Sequence, residues 1–146
     1  MKFSVLMSVY AKDDTNYFRQ ALESVSIKQS LKPNQIVIVK DGPVDPDIDK
    51  VIYDCSAKCI ETKFTVIENK ENQGLAAALN MGLKSCEYEW IARMDADDIS
   101  LPDRFEKQVS YIEKNPSISV LGGAISEFIN NEIKIESIRA CEEEHS

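Results

Sequence analysis

The sequence has few of the residues that build zinc sites. It contains one histidine, His145, and four cysteines, none of which form a Cys-x-x-Cys pair. A zinc site of the usual ligand spacing is therefore excluded, and we expect free thiols. Cys55 and Cys59 stand four residues apart on one predicted helix face, a spacing typical of small buried residues.

Basic clusters and long apolar runs are also absent. The chain has 17 basic and 25 acidic residues, a net charge of -8, and no concentration of lysine or arginine. This balance argues against nucleic acid as the main partner. No apolar run approaches the roughly 18 residues of a membrane span, and the first ten residues are too mixed for a signal peptide. We therefore predict no membrane span and a cytoplasmic protein.

The phosphate-binding motifs built from glycine are missing as well. Neither G-x-G-x-x-G nor G-x-x-x-x-G-K-[ST] occurs, so the usual dinucleotide fold and the P-loop are both unsupported. If the protein binds phosphates, a metal ion has to hold them.

What the sequence does contain is an alternation of strand and helix patterns. With 146 residues and 43% hydrophobic content, it predicts one domain over 1–146. Apolar runs rich in β-branched residues at 3–10, 35–40, 64–68 and 89–94 predict buried strands, and helical spacing follows each of them. A further strand is predicted at 118–124, with a continuation around a bend at 125–129. The fold class is α/β, a mostly parallel sheet with helices on both faces.

Polar residues mark where the predicted helices start. Asp13 or Asp14 is available to cap the first helix and Asn72 the third. Asn80 stands out, because an amide within an apolar helix normally needs a specific partner. Gly74, beside Asn72, would let the backbone approach a ligand or a neighbouring segment.

Three aspartates follow the strand at 89–94 within four positions. Asp95, Asp97 and Asp98 are expected to lie close together and partly shielded from water, where like charges repel unless a cation is shared between them. Carboxylate oxygens suit Mg²⁺ or Mn²⁺, and a site with one or two carboxylates leaves room for phosphate ligands. The alternative is a solvated turn before a helix capped by Ser100 and Asp103.

Tyr10, Asp41 and this acidic group all fall at the carboxyl ends of predicted strands. Parallel sheets bind ligands at that edge. The sequence therefore predicts a metal and diphosphate site there.

These motifs together resemble the nucleotide-sugar-binding half of family 2 glycosyltransferases of the GT-A fold, a Rossmann-like fold. The group includes bacterial enzymes that build capsule, exopolysaccharide and O-antigen (lipopolysaccharide) chains. Five pieces match in order over nearly the whole chain: 4–10, 36–42, Asn72 to Gly74 with Asn80 and Gly82, 91–98 and 102–105.

The resemblance implies roles for individual residues. Val9, Tyr10 and Asp41 would hold the nucleotide base and ribose, Asp95 the ribose or the metal shell, and Asp97 the metal directly. Gly74, Asn80, Arg93 and Ala96 would line the donor pocket. The implied cofactor is Mg²⁺ or Mn²⁺, the donor a nucleotide-diphosphate sugar, most commonly of uridine, and the acceptor a glycan or lipid-linked glycan. The implied reaction is an inverting transfer.

Two departures from the family pattern bear on activity. Pro43 stands where the family commonly has serine after Asp-Gly, and the acidic segment that supplies the general base has no match, so the base is expected beyond residue 146 and the domain is expected to be C-terminally truncated. Glu127, Glu132, Glu136 and 142–144 are interpreted as a solvated face or tail after the last strand.

The alternatives are a non-catalytic nucleotide-sugar-binding or partner-binding module, and a nucleotidyltransferase, which would need a glycine-rich basic loop after the first strand. Apolar residues around Ile125, Phe128 and Ile129 would favour association with another chain, for example with a second copy of this chain in a homo-oligomer. The lipid-linked acceptor would place the enzyme at the cytoplasmic face of the inner membrane.

Overall fold

The structure is a computed structural model. It describes residues 1–117 and the strand residues 120–122, 126–129, 132–135 and 139–141. It divides into two compact units, Met1–Asp103 and Arg104–Ser146. The first unit contains β1 (Phe3–Val9), α1 (Thr15–Ser24), β2 (Gln35–Asp41), α2 (Pro46–Lys58), β3 (Lys63–Asn69), α3 (Leu75–Leu83) and β4 (Trp90–Asp95). The second contains α4 (Arg104–Lys114), β5 (Val120–Gly122), β6 (Ser126–Ile129), β7 (Glu132–Ile135) and β8 (Arg139–Cys141).

The first unit is built on a four-stranded parallel sheet in the order β3-β2-β1-β4. β1 and β2 are central and buried on both faces, which explains why their sequences are nearly continuous apolar runs. The chain moves from β1 outward to β3 and then returns to β4 on the other side of β1. The carboxyl ends of β1 and β4 therefore flank the switch point where such sheets bind ligands. The predicted fold class is confirmed.

The core lies on both faces of this sheet. Leu6, Val37 and Val39 pack with Ala78 of α3 on one face, and alternation along the strands directs Val5, Met7, Ile36 and Ile38 to the other face. Helices α1 and α2 pack against each other. Their buried side chains face the side of the sheet opposite α3. A Cβ at Gly82 would stand 2.4 Å from Leu6 Cδ1 and 2.8 Å from Val39 Cγ2. Glycine there lets α3 lie close against the sheet.

Short polar side chains begin the first two helices. Asp14 caps α1 by accepting a hydrogen bond from Tyr17 N at 3.0 Å. Asp45 caps α2 by accepting from Asp47 N at 2.9 Å, with Pro46 in the first turn. Asp45 therefore has a structural role in this chain.

The third helix starts differently from the prediction. Asn72 was expected to cap it, but the residue before α3 is Gly74, at φ +94°, and no side chain caps this helix. Asn72 Oδ1 instead accepts from Gly74 N at 3.0 Å, before the first turn. In β4, Met94 is buried as predicted, whereas Trp90 and Ile91 are only half-buried because β4 is an edge strand.

The second unit contains two antiparallel strand pairs, in which β5 and β6 lie within the strands predicted at 118–124 and 125–129, whereas β7 and β8 were not predicted. β6 pairs with β7, and β5 pairs with β8. Glu127 and Glu132 therefore lie in strands, so the alternative of a tail is wrong for both, and the alternative of a solvated face stays a prediction. Ile118, Ser119, residues 123–125, Glu136 and residues 142–144 lie outside the described residues. The association surface predicted around Ile125, Phe128 and Ile129 stays a prediction, because Ile125 is one of the residues outside the described ranges.

The cysteines match their predicted structural role. Cys55 and Cys59 are buried, Cys86 is partly buried, and all three are free thiols. Burial, together with the charge of Glu23, raises the pKa of Cys55 to about 11, so this thiol stays protonated at neutral pH. Cys59 lies one residue beyond α2, at its C-cap. Within the described part of the chain, none of the helices combines the length and the apolar character of a membrane span.

Candidate donor site

A cleft of about 450 Å³ opens at the carboxyl ends of β1, β2 and β4. It contains six of the residues predicted for the site, namely Tyr10, Asp41, Gly74, Asp95, Ala96 and Asp97. Ser8, Asp13, Asn72 and Leu75 line it as well. Residues from four separate stretches of the sequence therefore meet where the topology predicts a ligand crevice.

The end of β1 contributes a carboxylate that the sequence analysis considered only as a helix cap. Asp13 Oδ2 accepts a hydrogen bond from Tyr10 N at 2.9 Å, which folds the loop after β1 back on itself. Burial raises the pKa of Asp13, the hydrogen bond from Tyr10 N lowers it, and the charges of Asp97 and Asp95 raise it further, with a net increase. Asp13 is thus close enough to the acidic group after β4 to sense its charge.

The end of β2 carries a buried carboxylate that accepts three hydrogen bonds from the protein. Asp41 is 3% exposed. Its Oδ1 accepts from Asn69 Nδ2 at 3.0 Å and from Gln73 N at 2.8 Å, and its Oδ2 accepts from Gly74 N at 3.0 Å. Because a carboxylate has about four lone-pair sites, the one acceptor site that remains on Oδ2 is available to a ligand.

A glycine lets the two loops beside Asp41 approach each other. Gly42 has φ +90°, and a Cβ placed on it would lie 2.8 Å from Asn72 N. The backbone after β2 therefore touches the backbone before α3, which brings Gln73 N and Gly74 N within reach of Asp41. Only glycine combines this conformation with so close a contact.

The residue before Asp41 fixes the same strand end from the other side. Lys40 Nζ lies 2.6 Å from Asp49 Oδ1 and 2.5 Å from Glu68 Oε1. Burial lowers the pKa of Lys40, but its hydrogen bonds to the two carboxylates outweigh that effect and raise it. The cation joins the end of β2 to α2 and β3.

The aspartates after β4 have a different environment. Asp95 ends β4, and Asp98 N donates to Asp95 O at 3.3 Å in the turn that follows. Asp95, Asp97 and Asp98 are all exposed, so the expectation of partial shielding is wrong for the protein without ligands. Among the strands that the structure describes, β4 is paired with β1 alone, and Asp97 and Asp98 lie in the turn beyond its end.

The chain beyond this turn is held by the last residue of α1 and by the segment that follows α1. Ser100 N donates to Ser24 Oγ at 3.0 Å, Gln29 Nε2 donates to Leu101 O at 2.6 Å, and Ser30 N donates to Pro102 O at 2.8 Å. Ser100 thus contacts α1, and α4 begins only at Arg104. These bonds fix both ends of the acidic turn, β4 on one side and residues 100–102 on the other.

Three predicted site residues do not line this cleft. The side chain of Val9 is fully buried in β1. Asn80 lines a second cleft of about 580 Å³ beside α3, together with Asn69, Lys70, Gln73 and Lys84 among others. Arg93 is exposed on β4, in register with Leu6. Their roles in donor binding stay predictions.

Four lining residues were missed by the sequence analysis. Ser8 interrupts an apolar strand next to its end and stands in register with Asp95; that interruption was the only signal for it. Asp13 was considered only as a helix cap, Asn72 as a helix cap and as part of a matching motif without a site role, and Leu75 as part of an apolar helix. Their contribution depends on loop paths that local sequence patterns do not specify.

The cleft offers hard oxygen ligands for a metal ion. In the described ranges, no group of three or more histidine, cysteine, aspartate or glutamate side chains is arranged to hold a metal by itself. Two carboxylates on one short turn, Asp95 and Asp97, with Asp13 near enough to repel them, do fit Mg²⁺ or Mn²⁺ when a ligand supplies further oxygens.

Comparison with known proteins gives a consistent family relationship. The family described as "Glycosyl transferase family 2" matches residues 4–144. An uncharacterized glycosyltransferase of Haemophilus influenzae is 44% identical over 131 residues, 90% of this chain and 48% of the relative. The amylovoran biosynthesis glycosyltransferase AmsE of Erwinia amylovora is 41% identical, over 86% of this chain and 46% of the relative.

A third relative has a fully specified name. The UDP-Gal:alpha-D-GlcNAc-diphosphoundecaprenol beta-1,3-galactosyltransferase of Escherichia coli is 36% identical over 87% of this chain and 45% of its own length. The chain therefore spans about half the length of the curated relatives it matches.

Solved structures share the fold at lower identity. Staphylococcus aureus TarS 1-349 in complex with UDP superposes with a TM-score of 0.72 at 23% identity, over 90% of this chain and 37% of that one. The mannosyltransferase PcManGT from Pyrobaculum calidifontis, in complex with GDP-Man and Mn²⁺, gives a TM-score of 0.71 at 18% identity, over 86% and 36%.

Proposed function

The chain belongs to glycosyl transferase family 2, and from this premise we propose that residues 1–146 are the donor-binding part of an enzyme that builds a cell-surface polysaccharide. The enzyme transfers a sugar from a nucleotide-diphosphate sugar, with inversion, to a glycan or lipid-linked glycan. The donor nucleotide is uridine diphosphate. The observation that carries the proposal is the cleft that brings Tyr10, Asp41 and Asp95 to Asp97 together at the switch point of the sheet.

Each part of the cleft suits one part of such a donor. Tyr10 is 40% exposed and offers a flat surface for a base, while Asp41 has one acceptor site left for a base or ribose donor group. Asp95 at the strand end would contact the ribose or the metal shell, and Gly74 and Ala96 present no bulky side chain to the donor. Val9, through its backbone, with Asn80 and Arg93, completes the proposed set.

Asp97 and Asp95 are the residues that would hold Mg²⁺ or Mn²⁺. The ion supplies positive charge to the diphosphate oxygens when it is bound. Without it, the exposed carboxylates of Asp95, Asp97 and Asp98 repel an anionic ligand. The protein contribution is the rigid turn between β4 and residues 100–102, which keeps the two proposed ligands in place.

Two of these similar proteins support uridine as the donor nucleoside. The galactosyltransferase of Escherichia coli is named for a UDP-sugar, and TarS was solved with UDP. PcManGT binds a guanosine nucleotide, GDP-Man, in a similar fold. Guanosine diphosphate is therefore the appropriate competing ligand in a test of nucleotide choice.

Isothermal titration calorimetry with UDP tests donor binding. We expect binding in the presence of Mn²⁺ or Mg²⁺ and none after a chelator is added, because the phosphates and the carboxylates repel each other until a cation lies between them. GDP under the same conditions is the control for the base. Equal UDP affinity with and without chelator would remove the metal from the proposal, and an absence of UDP binding under all conditions would reject the donor site.

The catalytic base is proposed to lie beyond residue 146. A positioned base typically contributes about 10²–10⁴-fold to the rate, so we expect the 146-residue chain to bind UDP and transfer no sugar. The measurement is transfer of radiolabelled sugar to lipid-linked glycans. In the cell, we propose that this transfer takes place at the cytoplasmic face of the inner membrane. A version of the chain extended to the length of its relatives is the comparison. Equal rates for the two versions would place the base within residues 1–146.

A non-catalytic module is the competing outcome of the same assay. Binding of UDP by both versions, with transfer by neither, would favour it. Transfer by the extended version alone would favour the enzyme.

A further inference from the structure

The hydrogen bonds around Asp41 point to a residue outside every motif of the sequence analysis. Asn69 is the last residue of β3, and its Cα is paired in register with that of Asp41 at the end of β2. Asn69 is 9% exposed, and its Nδ2 donates to Asp41 Oδ1 at 3.0 Å. The two buried side chains thus face each other across neighbouring strand ends.

We propose that Asn69 is a positioning residue for the cleft, which orients the Asp41 carboxylate so that it holds the backbone N–H groups of Gln73 and Gly74. Asp41 Oδ1 receives both the Asn69 amide and Gln73 N, while Oδ2 receives Gly74 N. Rotation of the carboxylate about its own bond would break both backbone contacts. The Asn69 amide opposes that rotation by fixing one oxygen.

The consequence of this arrangement is a preformed loop before α3. Gly74 N is shared between Asp41 Oδ2 and Asn72 Oδ1, and the loop carries Asn72 and Gly74 into the cleft. No side chain caps α3. The Asp41 carboxylate instead accepts hydrogen bonds from the backbone N–H groups of Gln73 and Gly74, the two residues before the helix. Asn69 therefore acts on the cleft through Asp41.

Asparagine is suited to this position and aspartate is not. The amide supplies a donor toward Asp41 at every pH, whereas a carboxyl group at residue 69 supplies one only when it is protonated. Two facing carboxyl groups share a proton, and the pKa of the pair is split by their repulsion. The variant Asn69→Asp should therefore hold the loop at low pH and release it at neutral pH.

The first measurement uses the unliganded 146-residue chain, and it does not depend on donor binding. We would measure hydrogen-exchange protection factors of the Gln73 and Gly74 amides, which correct for the intrinsic pH dependence of exchange. A hydrogen bond to a charged group contributes about 1.5–3 kcal/mol, so we expect a loss of protection of about tenfold to hundredfold in N69D near pH 8 and recovery near pH 5. The variant N69A should lose protection at both pH values.

Gln20→Glu is the matched control. It makes the same change of charge on the exposed surface of α1, and we expect no change at Gln73 and Gly74. The double variant N69D/D41N restores a hydrogen bond between residues 69 and 41 at all pH values, but it replaces one of the oxygens that accept from the loop. It should abolish the pH dependence without restoring protection at both amides.

The second measurement rests on the proposed function. UDP affinity in the presence of Mn²⁺ should follow the protection of the loop, with N69D close to the unmodified chain near pH 5 and about tenfold or more weaker near pH 8 relative to Q20E. If the unmodified chain shows protected loop amides and binds no UDP, the proposed function fails while the positioning role stands. Protection in N69D and N69A equal to that of Q20E at both pH values would overturn the positioning role.

A folding defect has a distinct signature in the same experiment. Loss of protection in the β1 and β2 amides would report global unfolding, and for that case Asn69→Ser keeps a small polar side chain whose hydroxyl is too short to reach Asp41 Oδ1 as the amide does. If N69S folds and its loop amides exchange no faster than in Q20E, the proposal is also overturned. Faster exchange of these amides in N69S than in Q20E, with the β1 and β2 amides still protected, supports it.

Discussion

The ends of β2 and β4 both present carboxylates to the same cleft, and the two ends are built in opposite ways. At the end of β2, Asp41 is buried and accepts three hydrogen bonds from the protein. At the end of β4, Asp95 and Asp97 are exposed to water and stand within the field of Asp13. A negative charge that the fold itself stabilises is part of the scaffold, whereas charges left to repel one another are available to a cation.

This comparison predicts that removing the buried carboxylate lowers the free energy of unfolding much more than removing an exposed one. Asp41→Ala leaves Asn69 Nδ2 and the loop amides without their acceptor, and we expect the free energy of unfolding to fall by about 2–4 kcal/mol. Asp95→Ala should change it by no more than about 0.5 kcal/mol, as surface substitutions usually do. Urea denaturation of both variants measures the difference. Similar losses would show that the end of β4 is part of the scaffold as well.

The contact between the loops at the end of β2 can be disturbed without touching a carboxylate. Gly42→Ala places a Cβ against Asn72 N in a backbone conformation that alanine rarely adopts, and we expect a loss of about 1–3 kcal/mol in stability. Gly74→Ala is the control, because its φ is also positive but nothing stands within 4 Å of its Cβ. Both variants carry backbone strain, and only G42A should also expose the amides of residues 72 and 73 to exchange. Protected amides in G42A would contradict the proposed contact.

At the end of β4 the expected effect is on ligand binding. Asp97→Ala should weaken UDP binding in the presence of Mn²⁺ by about tenfold or more, since it removes a proposed metal ligand. Asp98→Ala should weaken it less, because Asp98 does not line the cleft. Calorimetry at a fixed Mn²⁺ concentration compares the two. Indistinguishable losses would mean that the wrong carboxylate has been assigned to the metal.

The smallest effect is expected at Asp13. Because its pKa is raised from the ordinary value of 3.8, the native protein holds this proton more tightly than the unfolded chain, and stability falls as pH rises through and above that value. Asp13→Asn removes the titration and keeps an oxygen that can accept from Tyr10 N. At neutral pH the variant should be more stable by up to about 0.5 kcal/mol, and the gain should disappear in acid. Thermal unfolding from pH 3 to pH 7 would detect it, and a gain independent of pH would exclude charge repulsion as the cause.

The contrast between the strand ends also explains what could be predicted from the sequence. Apolar runs identified all four strands of the parallel sheet, and the polar residue after each run identified Tyr10, Asp41 and Asp95 as edge residues. The sequence could not indicate that Asp41 is buried, because its partners Gln73 and Gly74 follow it by 32 and 33 positions and meet it only through tertiary contacts. For the same reason Asn69 was not recognised, nor was the proximity of Asp13 to Asp95 and Asp97.

The errors have a common physical origin in local sequence interpretation. Asn72 is of a residue type that often caps helices, but its backbone lies against Gly42, and it stands three residues before the first residue of α3, Leu75. β5 and β6 lie within the strands predicted at 118–124 and 125–129, but β7 and β8 were not predicted, because segments of three or four residues are too short for a periodic pattern to identify them. Shielding of the aspartates was inferred from their neighbours in sequence, whereas Asp97 and Asp98 lie in the turn beyond the end of β4.

Gly82 lets α3 set the distance between the sheet contact near the end of this helix and the loop before its start. Its contact with Leu6 and Val39 anchors one end of the helix on the sheet, and Gly74 begins the other end eight residues earlier, about 12 Å along the axis at 1.5 Å per residue. The reach of Gly74 N to Asp41 is therefore set by the number of residues between two glycines. One residue inserted between them would turn the loop by about 100° around the axis and move it out of register with the cleft. The length of α3 therefore sets the position of this loop relative to the cleft.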